Sequence, residues 1–525
     1  MYLIAALLFV LVYTIYFSFF LVNSYNTFHE VSDLGLAYSN NFYFNVHYPQ
    51  IAYGWQQIIF GNHVSPFLYL MEPFYMLYQS SLTLLFMQLV TIAITGLVVF
   101  FVARGLTNKS ALALAFCITY LIFPGTLGSV VFDFHAEYPI PLFFILAFYF
   151  YMRQKFLPFL LSSVFLVSII EYTPLMAGFL AIGLAVYEIR YNRYKKSRLM
   201  ISRERLKYLG TLLVITAIAA LFYHYVLSEL AQAYSAGAYP FIINLIANGG
   251  TGNQIVPTVL PRLENPLQGA MQVYGIYASG LQLYLLYALM LVLFGFGIAA
   301  IAVPEPTFGL LIPWLSGVFL FAYPGFIVPE SQYFSYVDGP AVCAAILGAY
   351  LLLNKKGNRM ILKLINITNN PAQLLTVSMI GFSIMLSIAA PAAYLLVATP
   401  LSQYHLININ TFKELVLFQI NASQQIAYNQ LDWAINQIPQ NAILATNNFI
   451  TPHVANREFL TDFEGYTKGF PQPQYLLIDM NDNIIPHVCA LDNCTLIDNF
   501  LNSGNYTLYQ QNGTAKIYRL RSLST

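Results

Sequence analysis

Eleven long apolar stretches punctuate the chain, and they confine it to one class of fold. They fall near residues 1–22, 82–103, 110–123, 139–152, 156–170, 172–188, 208–227, 281–303, 307–323, 340–354 and 373–399. A helix needs about 20 apolar residues to cross the hydrocarbon of a bilayer. Stretches 110–123 and 139–152 are shorter, so they must tilt, thin the bilayer or pack inside the protein. Charged residues are 9% of the 525, against about 25% in a soluble globular protein. The first stretch has neither the basic start nor the small-residue cleavage site of a signal peptide. The expectation is a polytopic α-helical membrane protein with about 11 transmembrane helices.

Basic residues set the expected orientation. With the amino terminus inside, sixteen Lys and Arg fall in inner loops, eight of them between Arg190 and Lys207. The outer loops up to residue 400 hold one, Arg262. Lys and Arg favour the cytoplasmic side, so the amino terminus is expected inside and the tail outside. The formal net charge of +1 gives no reason to expect a nucleic-acid partner.

The chain is expected to divide into a membrane domain, 1–400, and an extracytoplasmic α/β domain, 401–525. Outer loops of the first are expected at 23–81, 124–138, 228–280 and 324–339. In the tail, residues 411–438 have helical apolar spacing, "AILAT" and "YLLID" read as short buried strands, and "YTLYQQNGTAKIYRL" reads as a hairpin around Asn-Gly. Asn421, Asn493, Asn505 and Asn512 begin glycosylation sequons. Cys489 and Cys494 are either a short disulfide or two thiols.

No P-loop, GxSxG, HExxH or dinucleotide fingerprint is present. Acids and histidines instead gather on the outer side, in "HEVSDLG" (His29, Glu30, Asp33), "GNHVSP" (His63) and "FDFHAEY" (Asp133, His135, Glu137). Ionisable groups at the membrane are costly and are functional candidates. Each also has a bland alternative. Asp33 suits a helix cap or turn, His63 a packed interfacial ring, and Glu171 a structural link between helices. The third cluster is the hardest to explain as structure alone. An inverting sugar transfer needs a carboxylate base and positive charge at the leaving phosphate. Arg262, His63, His135 or a divalent metal held by Asp33 with Asp133 or His135 would supply the latter.

Several segments carry a resemblance: "SDLGLAYSNNF", "GNHVSPFLYLMEPFY", "FPGTLGSVVFDFHAEYPIPLFF", Glu171 in "IIEYTP", "IPQNAILATNNFITPHVANREFLTDF" and "YLLIDM". Together these resemble the archaeal and bacterial membrane family DUF2079, which is similar to the GT-C glycosyltransferase superfamily. The resemblance implies a GT-C-like fold in the cell envelope and a polyprenyl-phosphate sugar as donor. Glycan, lipid or protein would be the acceptor, and membrane lipids are the surroundings. Asp33 matches the first-loop catalytic carboxylate by position, with His63, Asp133, His135 and Glu171 as further catalytic candidates. Arg262 and Glu137 are candidates for holding the donor. Glu171 departs from the family pattern, being flanked by Ile170 and Tyr172 rather than by further charges. The Trp-Trp-Asp signature of an oligosaccharyltransferase is absent. A non-catalytic carrier, lipid-linked glycan binder or surface-assembly factor would use the same outer cavity.

The orientation is testable in intact cells with an impermeant thiol reagent. A cysteine placed at Asn505 is expected to label and one placed at Arg198 to stay protected; the opposite pattern would invert the topology.

Overall fold

A computed structural model of the chain describes residues 1–30, 33–48, 64–191, 201–235, 271, 282–316, 318, 334–356, 370–396, 417–463, 471–480 and 494–523. The amino-terminal part is helical: α1 Tyr2–Asn26, a π-helix Asp33–Asn40, α2 Asn41–His47, α3 Glu72–Leu77, α4 Ser81–Thr107, α5 Ser110–Ile122, α6 Pro124–Val131, α7 Ile140–Met152, α8 Phe156–Val167, α9 Thr173–Tyr191 and α10 Arg203–Ser235. It continues with α11 Gln282–Phe294, a 3-10 helix Gly297–Ala302, α12 Pro304–Ser316, α13 Ser335–Leu353 and α14 Pro371–Leu396. Each of the eleven apolar stretches coincides with a helix. Among the described residues, five helices are long and apolar enough to cross a membrane: α1, α4, α9, α13 and the Arg203–Val226 part of α10. A sixth span arises if α5 and α6, bent by 46°, are counted as one.

Proline and glycine explain two departures from the expected spans. Phe123 is extended and Pro124 opens α6, because proline lacks an N–H and pushes the preceding residue out of the helical region. The stretch expected over 281–303 breaks after Phe294. Gly297 has φ +75, and a Cβ on Gly295 would lie 2.4 Å from the Phe123 ring. The expected outer loops are also not plain loops. The π-helix, α2 and α3 occupy parts of 23–81, α6 most of 124–138, and the first turn of α13 the end of 324–339. Short runs of small and aromatic residues fold there because they pack against the helices beneath. Most of 228–280 lies outside the described residues, as does the expected boundary at 400.

The carboxy-terminal part is built on a five-stranded sheet in the order β2-β1-β3-β5-β4. The strands are β1 Leu444–Thr446, β2 Leu460–Asp462, β3 Tyr475–Ile478, β4 Tyr506–Asn512 and β5 Ala515–Leu520. β1 pairs in parallel with β2 and β3, and β5 runs antiparallel to β3 and β4. Two helices accompany them, α15 Ala422–Asn436 and α16 Cys494–Asn502. Asn421 and Gln424 close a capping box at the start of α15, which satisfies two otherwise orphaned N–H groups. β1, β3 and the hairpin lie where the residue pattern places them, whereas the helix expected over 411–438 begins only at Ala422, because Asn421 caps it there and residues 418–421 are not helical; residues 411–416 lie outside the described residues. β2 and α16 carry no clear periodic signal. Cys494 is disulfide-bonded, whereas Cys117 and Cys343 are free and buried.

This sheet domain is seated on the end of the helices where α1 finishes and α4 begins. Phe28, just past α1, is fully buried in the sheet-domain core with Tyr428, Leu431, Phe449 and Ile517. His453 stacks between Tyr25 and Phe28, with ring centroids 4.2 and 4.1 Å apart. Asn40 Nδ2 donates to the Ala455 and Arg457 carbonyls, each at 2.7 Å. Ser81 Oγ donates to the Pro452 carbonyl at 2.7 Å. Gly35 faces this same segment. A Cβ there would lie 2.3 Å from Thr451 Oγ1 and 2.6 Å from the Pro452 backbone, so the contact excludes any side chain.

Burial holds the His453 imidazole down to about 3, partly offset by a hydrogen bond to the Tyr25 backbone. A folded-state value below the ordinary 6.5 means the stack contributes fully above that pH and loses its contribution as pH falls toward 3. Hydrogen exchange across Thr451–Arg457 is expected to rise as pH is lowered through this window, after correction for intrinsic exchange. His453→Phe, which keeps a stacked ring, should abolish that extra acid response.

Candidate functional site

The carbonyl-rich segment between α6 and α7, residues 132–139, is held by a side chain from α4. Gln88 Nε2 donates to the Ser129 carbonyl at 2.7 Å and the Phe132 carbonyl at 3.4 Å, while its Oε1 accepts the His135 N–H at 3.2 Å. This amide supplies the partners that an irregular backbone at a membrane edge must have. The segment so fixed carries Asp133, His135 and Glu137, all buried.

Asp133 ties this segment to the π-helix. Its Oδ2 accepts the Leu34 N–H at 3.1 Å, and its Oδ1 accepts its neighbour Phe134's N–H at 2.9 Å. Asp33 is thereby brought to His135, with His135 Nε2 and Asp33 Oδ2 3.2 Å apart. The histidine side chain is 2% exposed and that of Asp33 43%, so the carboxylate faces solvent with the imidazole behind it. His135 Nδ1 lies 3.0 Å from the Asp133 carbonyl. A carbonyl can only accept, so Nδ1 carries a proton and Nε2 is the atom presented to Asp33.

Burial alone would lower the His135 pKa, but the Asp33 hydrogen bond and charge, the Glu137 charge and the Asp133 carbonyl outweigh it and raise it, which favours the protonated imidazole. Behind this pair two further carboxyls, Glu30 and Asp133, are buried within reach of each other. Burial raises both, and for Asp133 the charges of Glu30 and Asp33 add to it.

Tyr38 connects the remaining acids. Its hydroxyl accepts the Ala136 N–H at 3.3 Å, and Glu137, Asp33 and Glu171 all lie within electrostatic reach of it. Glu137 Oε1 accepts a hydrogen bond from Tyr336 at 3.3 Å. Glu171 Oε2 accepts the Val64 N–H at 3.2 Å.

Asp33, Asp133, His135 and Glu137 therefore form one cluster, and Glu171 lies at its side. His63 and Arg262 fall outside the described residues. Of the expected metal set, Asp33 and His135 meet each other, and Asp133 accepts two backbone N–H groups. Among the described residues, no group of three or more His, Cys, Asp or Glu could hold a metal ion. His29 is buried against Thr27, 2.9 Å from its hydroxyl, and held down to about 4 chiefly by burial. In the sheet domain, Arg457 donates to the Pro439 carbonyl at 2.6 Å and the Ile438 carbonyl at 3.4 Å. It fastens the loop after α15 rather than facing the cluster.

Tyr38, Gln88 and the role of Glu30 escape a reading of sequence alone. Tyr38 follows Asp33 by five residues, the spacing of a π-helical hydrogen bond, whereas an α-helical reading would pair Asp33 with Ala37. Gln88 lies within an otherwise apolar span, and that isolated polarity was its only signal.

A family model described as "Predicted membrane protein (DUF2079)" matches residues 39–515. The chain belongs to this family of predicted membrane proteins. No curated protein matches it.

The raised Glu30 and Asp133 carboxyls give a pH signature. Folded-state carboxyl values raised above their ordinary range mean that the native state holds protons the unfolded chain has released. Stability is expected to fall as pH rises from about 4 through the raised values. Glu30→Gln removes one of the two titrating groups and its charge on Asp133. Chemical-denaturation midpoints of that variant should lose part of this decline, and an unchanged decline would remove Glu30 from the account.

Proposed function

We propose that this DUF2079 protein is a GT-C-like membrane glycosyltransferase that moves a sugar from a polyprenyl-phosphate donor to an acceptor hydroxyl at the outer membrane face. One observation carries the reading: a solvent-facing carboxylate, Asp33, with the Nε2 of a buried histidine 3.2 Å behind it. The pair lies at the end of the apolar helices, beside the seated sheet domain. In this reading the amino terminus is cytoplasmic and the sheet domain extracytoplasmic. The sixteen-to-one division of Lys and Arg supports that orientation, and an oxidised Cys494 is at home in such a compartment.

The proposed chemistry follows from the charges. His135 as imidazolium keeps Asp33 ionised and fixes which oxygen points outward. That carboxylate takes the proton of the acceptor hydroxyl as its oxygen attacks the anomeric carbon. The bond from that carbon to the phosphate oxygen breaks, and the lipid phosphate leaves with the electron pair. A positioned base of this kind is worth roughly 10²–10⁴-fold in rate. Arg262 and His63 remain the proposed groups for the departing phosphate, and Glu171 and Tyr38 would line the sugar's approach. Aromatic and apolar surface around the outer ends of the helices suits the lipid.

The test begins with the lipids that copurify with the full-length protein, identified by mass spectrometry. The retained glycolipid, or its synthetic short-chain analogue, is then offered with membrane extract as the source of acceptor. Asp33→Asn is expected to retain donor binding and lose transfer by about two to four powers of ten. Binding of a lipid-linked sugar with no transfer by the wild type would instead identify a glycan-binding or assembly protein.

A further inference from the structure

A second polar group lies beneath the outer cluster, and the proposed transfer does not use it. Asp338 occupies the first turn of α13 and is 1% exposed. The helix continues from Asp338 to Leu353, roughly 22 Å at 1.5 Å per residue. In a span of this kind, that depth falls inside a hydrocarbon layer about 30 Å thick.

Oxygen atoms from several helices gather here. Asp338 Oδ2 accepts a hydrogen bond from Thr126 Oγ1 of α6 at 3.1 Å. Asp338 Oδ1 has no hydrogen-bond partner among the described residues, and neither has the buried Tyr13 hydroxyl of α1. Tyr13 lies within electrostatic range of Asp338. So does Tyr120 of α5, whose hydroxyl bonds Thr95 and Thr126. The backbone at Gly125 closes the space on one side. A Cβ there would lie 2.7 Å from Asp338 Oδ1 and 2.4 Å from the Phe334 ring. Among the described residues no Lys, Arg or His acts on Asp338.

A carboxylate buried in hydrocarbon with a free oxygen and no basic partner is costly. Either a proton or a small cation must neutralise it. We propose that Asp338 anchors an intramembrane site for a small monovalent cation of the sodium type. Asp338 Oδ1 supplies the charge, and the Tyr13 and Thr126 hydroxyls supply neutral oxygens. The donor set argues for the class of ion. All the donors are hard oxygens, with no imidazole or thiolate for a transition metal, and one carboxylate charge with two neutral hydroxyls balances a monovalent ion, whereas calcium takes more oxygens and magnesium adds waters and phosphates.

The placement gives the ion a structural task. It would join α1, α6 and α13 at a single point. Tyr336, two residues before Asp338, donates to Glu137 in the segment that carries His135. An ion at Asp338 therefore braces the floor of the outer cluster, whatever reaction that cluster performs.

The experiment uses the full-length protein in lipid nanodiscs, with sodium chloride exchanged for choline chloride at constant ionic strength. The wild type is expected to show a saturable rise in melting temperature with sodium and to bind radioactive sodium at one ion per chain. Asp338→Asn should lose both. Tyr13→Phe, which removes one oxygen and keeps the ring, should fold and shift the sodium midpoint upward several-fold. A melting temperature indifferent to sodium together with no sodium binding in the wild type overturns the proposal, as a permanently protonated Asp338 would predict. Retention of the full response in Asp338→Asn overturns it too. Should that variant fail to fold, an unchanged sodium midpoint in Tyr13→Phe is decisive against the site.

Discussion

The interaction on which the candidate site depends is the hold of Asp133 on the Leu34 N–H. That one bond joins two chain segments 99 residues apart, and each brings half of the acid–histidine pair. The Asp133 side chain caps the π-helix that presents Asp33, while its main-chain carbonyl fixes the tautomer of His135. Burial makes the arrangement obligatory. Asp133, Glu30 and His135 have almost no contact with water, so each must find its partner within the protein. Burial raises the Glu30 and Asp133 carboxyls toward their neutral forms, and the Asp33 hydrogen bond and charge favour the protonated form of His135. Of Asp33, Asp133, His135 and Glu137, Asp33 is the one that faces solvent, and it is the group that the proposed chemistry requires to be charged.

The sheet domain participates in the same construction. The π-helix is held from beneath by Asp133 and from the other side by the Thr451–Arg457 segment, through Gly35 and Asn40. The contact is backbone against backbone at Gly35, which leaves little freedom for the two parts to slide. Tyr75 and Asn456 extend it, with the tyrosine hydroxyl 2.9 Å from Asn456 Oδ1 and the Asn456 amide 2.7 Å from the Gln79 carbonyl. A domain that merely hung from the last helix would need none of this. Its seat on the Asp33 segment is the reason to regard the sheet domain as part of the site's architecture.

At the opposite end of the helices, ionisable groups are handled in a more ordinary manner. Arg205 and Glu188 pair at 3.2 Å with both side chains buried, and the Tyr151 hydroxyl adds a 3.1 Å bond to the same carboxylate oxygen. Arg190 and Glu305 pair at 3.0 Å near the surface. Glu188 and Glu305 each have a cation there. The acids around Asp33 meet a histidine or a backbone N–H instead, in segments poor in Lys and Arg. The contrast between the two ends is the physical content of the one-sided charge pattern.

Much of the architecture was legible in the residues themselves. Apolar length alone located a helix at each of the eleven apolar stretches, since hydrocarbon admits few alternatives to a helix, but not the shorter π-helix, α2, α3 and α6. Alternation and Asn-Gly turn chemistry located the β4–β5 hairpin, and the outer concentration of Asp, Glu and His pointed to the region of the site. Pairing was another matter. No local pattern says that Asp33 meets His135 across 102 positions, that Glu30 is buried within reach of Asp133, or that Gln88 fastens the 132–139 segment. Nor could spacing announce a π-helix, whose wider turn moves Tyr38 into the cluster in place of Ala37. The sequence by itself determined which segments must leave water and which residue types would resist doing so. Only the tertiary structure decided which of those reluctant groups became partners, because burial sets the need for a partner while long-range packing chooses it.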